Sequence, residues 1–171
     1  KEPNKIFSHY SIPAFDSGRY PTKDVGESIL SNKYEVLENS ILVSKLNPST
    51  SRIWTVFRPC ENGICSTEIQ VFVPNTNTYA FSFGLFHYSG IKREMAQRAS
   101  GTSSSHQRVR PGDILNIEFV VPKEEILKKF EESVLGVLRK IEENQEEIQS
   151  LTQLRDTLLP KLMSGELSGI S

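Results

Sequence analysis

The 171-residue sequence has two cysteines in all and no run of about 18 apolar residues. The second absence excludes a membrane-spanning helix, and the charged, proline-containing start Lys1-Glu2-Pro3 does not read as a signal peptide. There is no excess of either charge: 20 Lys and Arg stand against 21 Asp and Glu, so the whole chain has no polyelectrolyte bias toward nucleic acid. Apolar residues amount to 37%, short of the roughly 45–50% of compact globules, which places part of the chain outside a core. Without an initiating Met, the sequence reads as a processed or excised fragment.

Catalytic signatures are missing as well. No Gly-X-Gly occurs, so no dinucleotide or methyl-donor loop of that type is signalled. Asn47-Pro48-Ser49-Thr50 begins like the Asn-Pro-Pro-aromatic loop of adenine methyltransferases but lacks the second proline and the aromatic. Glu-X-Lys and His-Glu-X-X-His are absent, and no Gly-X-Ser-X-Gly frames a nucleophile near His106. Cys60 and Cys65 have no neighbours to complete a four-ligand zinc set and read as reduced thiols beside a hairpin. The expectation is a chain with no catalytic residue, metal or cofactor of its own.

What is present divides near Pro122. Residues 1–122 carry 13 basic and 11 acidic side chains, a net of +2, together with every His, Cys, Trp and Tyr. Residues 123–171 carry 7 basic and 10 acidic, a net of −3. The fold class expected is α+β: a β-rich mixed head, 1–122, then one long helix, 123–159, and a tail, 160–171.

In the head, Glu35–Ser44, Arg52–Phe57 and Thr67–Val73 have strand patterning, with a break at Glu38-Asn39. Asn62-Gly63 lies between the last two and suits a tight turn, which predicts their antiparallel pairing. Tyr79–Ala99 reads as one or two short helices, and Asn116–Val121 as a last strand. In the second body, Leu127, Val134, Ile141, Ile148 and Arg155 alternate with Phe130, Val137, Asn144, Leu151 and Leu158 at heptad spacing. Such a seam needs a partner helix, with Asn144 and Arg155 setting register. The Glu pairs 124/125, 131/132, 142/143 and 146/147 are read as solvated faces, and Pro160 as the helix stop.

Binding remains. Between Gly84 and Arg110 stand Lys92, Arg93, Arg98, Arg108 and Arg110 against one acid, Glu94. Lys92, Arg93 and Arg98 suit phosphate contacts. Ser105, His106, Gln107 and Arg108 form a dense donor set suited to base edges, Gln to adenine and Arg to guanine. Lys45, Asn47 and Arg52, near Trp54, serve either purpose, although Lys45 and Trp54 also fit a fold-holding role. The plain alternative is a solvated basic loop.

Four blocks, in consistent order from about residue 12 to 167, resemble type I restriction-modification specificity subunits. They are Ser44-Lys45-Leu46-Asn47-Pro48 with Arg52-Ile53-Trp54; Cys65-Ser66-Thr67-Glu68; Gly101–Val109; and Leu154–Leu167, which resembles the end of that family's conserved helical region. The resemblance implies a non-catalytic target recognition domain, 1–122, that binds double-stranded DNA and reads half of a split site. It implies a helical spacer pairing antiparallel with a second helix, in a homodimer or with a second recognition domain. The seam is then Leu127, Phe130, Val134, Val137, Ile141, Asn144, Ile148, Leu151 and Leu158. It further implies methyltransferase subunits carrying S-adenosylmethionine, restriction subunits, and the cytoplasm of a bacterium or archaeon. A helix of about 36 residues is roughly 54 Å long, the rise of about 16 base pairs. Two departures stand out: there is a single recognition domain, and the family's Trp-containing opening is missing before Lys1. The competing reading is a coiled-coil adaptor whose head binds protein; a third is the specificity portion of a fused restriction-methylation enzyme.

Overall fold

The computed structural model describes residues 2–75, 77–101 and 107–166. The apolar run of β4 (Ser40–Ser44) is buried along its whole length. It is the middle strand of an antiparallel sheet ordered β5-β4-β7, where β5 is Ile53–Val56 and β7 is Ile69–Phe72. Strand alternation sends Ile41 and Val43 to one core, with Phe57, Tyr79, Ile91 and Met95. It sends Leu42 to another, with Tyr10, Phe15 and Trp54. Both faces of the sheet are therefore covered.

The second core is closed by a mixed sheet ordered β2-β1-β6-β3. Its strands are β1 (Ile6–Tyr10), β2 (Thr22–Val25), β3 (Lys33–Glu35) and β6 (Gly63–Ser66). Between β1 and β2, α1 (Ile12–Gly18) starts where the Ser11 hydroxyl accepts the Ala14 N–H at 3.2 Å, and stops at Arg19 in the left-handed region, φ 55°. Trp54 packs edge-on against Phe15 at 5.0 Å and donates its indole N–H to the Arg19 carbonyl at 3.0 Å, so it is a core residue.

Helices close the first core: α2 (Tyr79–His87), α3 (Ser89–Arg98), α4 (Pro111–Leu115) and α5 (Glu124–Met163). At 40 residues α5 is about 60 Å long. Its inner face lays Val134, Leu135 and Leu138 on the head, Leu138 being 4% exposed. The same face carries acids. Glu131, 7% exposed, accepts the Ala80 and Phe81 N–H groups at 2.9 and 2.8 Å, capping α2 where the helix dipole favours an anion. Glu142 accepts the Phe57 N–H at 3.0 Å, and Gln145 donates to the Gly18 carbonyl at 2.7 Å. No helix among the described residues is long and apolar enough to cross a membrane.

The α+β class, the strands at β4, β5 and β7, and the helix pair between Tyr79 and Ala99 agree with expectation. Several expectations do not survive. The strands flanking Asn62-Gly63 are not partners: β5 and β7 lie on opposite sides of β4, and Gly63–Ser66 is a separate strand of the other sheet. Asn62 does take positive φ, 53°, and a Cβ at Gly63 would meet the Cys60 carbonyl at 3.1 Å. That bend reverses the chain into a new sheet instead of closing a hairpin. Asn116–Val121 forms no strand; only Ile117 is buried, and Val120 is 90% exposed. The helix passes Pro160 by three residues, because the N–H that proline lacks is missed only in an exposed last turn. Glu131 and Glu142 belong to the docked face, not to a solvated one. Leu127 and Val134 likewise turn toward α2 and the core, leaving the free seam to begin at Phe130.

Candidate nucleic-acid interface

Three loops far apart in sequence are tied into one knot by backbone hydrogen bonds. The chain after β4 contributes Lys45, whose N–H donates to the Glu68 carbonyl at 2.8 Å and whose carbonyl accepts the Val109 N–H at 3.1 Å. Two residues on, the Asn47 N–H donates to the Gln107 carbonyl at 2.8 Å, with Asn47 at positive φ, 48°. Asn and Asp tolerate that region where larger side chains do not. Arg108 and Ser100 exchange two backbone hydrogen bonds at 2.9 Å each, which tethers the end of α3 to the same knot. The Ser44 N–H adds the Arg52 carbonyl at 3.0 Å. Residues 44–47, 66–68 and 107–109 thus form one surface.

Charged side chains ring it with unequal freedom. Arg108 is half-exposed, and its Nε donates to both Glu68 carboxylate oxygens, at 3.0 and 2.8 Å. That carboxylate, by its hydrogen bond and its charge, pushes the guanidinium pKa further up. Arg52 is held bidentate by Asp16 at 2.8 and 2.9 Å, and the same pairing holds the Asp16 carboxyl below its ordinary pKa. Lys45 sits 5.7 Å over the Tyr34 ring. Gln107 is exposed. Arg98 donates to the Asp113 and Asn116 carbonyls at 3.0 Å each and to Glu94 at 3.2 Å, so it holds α4 against α3. Arg93 is exposed and Lys92 half-exposed, both further back along α3. Of the expected DNA contacts, Lys45, Asn47, Arg52, Gln107 and Arg108 meet at the knot, and Lys92, Arg93 and Arg98 lie along the tethered helix. Ser105 and His106 lie outside the described residues.

One feature of the surface escaped the sequence reading. His9 Nδ1 lies 2.7 Å from Asp24 Oδ2, and the ring lines an open cleft with Ser11, Leu46, Ser66 and Glu68, beside the knot. No local motif links His9 to Asp24. They meet because the β1–β2 register sets His9 opposite Thr22, two residues from Asp24 on the same face. Among the described residues no His, Cys, Asp or Glu group of three or more could hold a metal ion. Burial pushes the Cys65 thiol up to about 11, which leaves it a poor thiolate.

The second surface is the outer face of α5. Phe130, Val137, Ile141, Ile148, Leu151 and Leu158 are solvent-exposed there, with Asn144 among them, and Leu154, Leu159, Leu162 and Met163 extend the row to the helix end. This is the expected seam without Leu127 and Val134.

The chain matches no protein-family profile. It is 37% identical over 77 residues to the type I restriction enzyme MjaIX specificity subunit of Methanocaldococcus jannaschii, covering 45% of this chain and 17% of that protein. It is 39% identical over 51 residues to the HindI specificity subunit of Haemophilus influenzae, covering 30% of this chain and 11% of that one. The matched stretches thus span less than a fifth of these curated relatives. The fold superposes on the HsdS subunit of Thermoanaerobacter tengcongensis with a TM-score of 0.61 and 22% identity, 99% of this chain lying on 45% of that one. A chain of a type I R-M system solved for its complex assembly and conformational transition gives a TM-score of 0.62 at 21% identity, with the same coverage. In sequence and in fold, the chain resembles type I specificity subunits.

Proposed function

We propose that the chain is the recognition domain and helical spacer of a type I specificity subunit. The head reads one half of a bipartite duplex site. The outer face of α5 pairs antiparallel with a second helix to set the distance to the other half. The observation that carries this reading is the convergence of the sequence landmarks: described residues of three of the four blocks, 44–47, 66–68 and 107–109, meet in one knot, and residues 154–163 of the fourth lie on the end of α5. Arg108 and Gln107 are exposed at that knot, and Arg93 is exposed on the helix tethered to it.

The head binds phosphates through Lys92 and Arg93 and base edges through Gln107 and Arg108, with the His9–Asp24 pair beside them. Arg52 and Arg98 position loops that touch DNA. The seam from Phe130 to Leu158 spans about 42 Å, the rise of about 12 base pairs, and fixes a half-site spacing in that range. The chemistry on the site is performed by others: methyltransferase subunits holding S-adenosylmethionine, and restriction subunits, inside a bacterial or archaeal cell. The chain itself is non-catalytic.

Methylation mapping in cells that carry this subunit with its methyltransferase tests the reading. A split motif with fixed spacing is expected, and it should change when one heptad is inserted into α5. Duplex DNA should bind in vitro with affinity falling steeply with salt. Salt-independent binding, or none, would favour the protein-binding adaptor instead.

A further inference from the structure

Among the described residues, three arginines of the head are paired with carboxylates, and in two of these pairs the guanidinium is the more covered member. Arg52 is 17% exposed against 49% for Asp16, and Arg98 is 33% exposed against 45% for Glu94. Arg108 reverses the order: its side chain is 48% exposed and that of Glu68 is 30% exposed. Exposed ion pairs add little to stability. Arg52 and Arg98 tie elements of the head together, whereas a pair with its cation outermost presents that cation to whatever meets the surface.

We infer that Glu68 is a positioning residue for base recognition: it holds the Arg108 guanidinium in one orientation, and Arg108 so held reads one guanine of the half-site. The inference rests on the DNA-binding reading above and adds to it the residue that aims the arginine and the base it takes. Rigidity of the scaffold is the first argument. Thr67-Glu68 is the two-residue turn between β6 and β7, so the chain on its two sides is held in different sheets. The Glu68 N–H donates to the Ser66 hydroxyl at 3.3 Å, and its carbonyl accepts the Lys45 N–H. The Lys45 carbonyl in turn takes the N–H of Val109, which is anchored in the first core next to Arg108. Both backbones are thus fixed to Lys45, and carboxylate and guanidinium meet without either loop moving.

Donor geometry is the second argument. A guanidinium carries five N–H donors in a planar fork. Glu68 takes the Nε–H with both oxygens, at 3.0 and 2.8 Å, and the two Nη groups are the pair that matches O6 and N7 of guanine in the major groove. Holding Nε fixes the plane of the fork, so less side-chain freedom is lost when the base is bound. Charge is the third argument. A carboxylate behind the guanidinium cancels much of its attraction to phosphates, which carries no sequence information, and leaves its directional hydrogen bonds. Lys45 and the His9–Asp24 pair border the same surface, Lys45 over the Tyr34 ring and His9 bonded to Asp24.

The test uses the chain with its methyltransferase: the methylated motif is mapped, and the complex is then titrated with the mapped duplex and with duplexes changed at single base pairs. Arg108→Ala should relax one G·C position of the half-site, discrimination there falling about tenfold or more. Glu68→Ala should relax the same position and no other, without weakening a scrambled duplex. The double variant should be no more relaxed than Arg108→Ala alone, because Glu68 acts through the arginine. Four results overturn the inference and leave the DNA-binding reading standing: no relaxed position in Arg108→Ala, an unchanged motif in Glu68→Ala, relaxation elsewhere or at an A·T pair, or additive loss in the double variant. Should Glu68→Ala abolish methylation, Glu68→Gln decides. Partial relaxation of the same position supports positioning, and an intact motif or equal loss at every position overturns it. An unsubstituted complex that binds no duplex overturns instead the reading on which the inference rests.

Discussion

The two faces of α5 invert the usual arrangement of an amphipathic helix. The face against its own head holds two glutamates, a glutamine and a few aliphatic side chains, while the face toward water holds a row of Phe, Val, Ile and Leu. The inner face tolerates acids because the head offers them backbone N–H groups: the start of α2 for Glu131, the end of β5 for Glu142. The outer face leaves its apolar residues exposed, and the second helix proposed above would cover them. A polar inner face gives orientation, since each hydrogen bond fixes one angle. An apolar outer face gives association, since it is non-directional and proportional to area.

Four experiments break or sharpen that contrast. The largest effect should come from Leu138→Ala on the inner face, which opens a cavity in the first core and should cost about 2–4 kcal/mol in denaturant unfolding. Next, Ile148→Asp on the outer face should leave the unfolding midpoint of the head nearly unchanged yet convert dimers to monomers in sedimentation. If it destabilises the head instead, the two faces are not independent.

The third concerns pH. Glu142 is pushed up to about 7, first because burial penalises its charge; the Phe57 and Arg58 N–H groups oppose this, and the neighbouring Glu146 carboxylate adds to it. A carboxyl whose folded pKa lies above its unfolded value near 4.5 binds its proton more tightly when folded. Its stability contribution is therefore full below about 4.5 and is lost as pH rises through about 7. Thermal midpoints should decline across that window, and Glu142→Gln should flatten the decline. The smallest structural effect belongs to the head's surface. Arg108→Ala should change melting little, its ion pair with Glu68 being exposed. It should relax base preference, whereas Lys92→Ala should weaken all duplexes alike. Cognate and scrambled duplexes titrated across salt would separate the two.

Legibility differed by element in a way that tracks how local the governing force is. The Ile41-Leu42-Val43 run, the heptads and the Tyr79–Ala99 helices were readable because each buries a pattern its own sequence carries. The apolar Phe119-Val120-Val121 stretch misled, since strand-like composition forms a strand only where the fold lays it along a sheet edge, and this stretch pairs with neither sheet. Asn62-Gly63 has the backbone of a turn, but no short-range signal says which sheet the chain enters next. At the knot, the donor chemistry of Arg108 and Gln107 is legible from residue type, whereas the engagement of Arg52 with Asp16 and of Arg98 with α4 depends on partners 36 and up to 18 residues away.

By itself the chain's order of residues determined its β-rich head, its long amphipathic helix and the types of side chain on its surface, because periodicity and chemistry are properties of neighbours. Tertiary structure alone decided which residues of that helix face inward, that Glu131 and Glu142 are anchors, and that three distant loops close into one knot. Those outcomes depend on where unsatisfied backbone groups of the head happen to point, and that direction exists only once both sheets have packed.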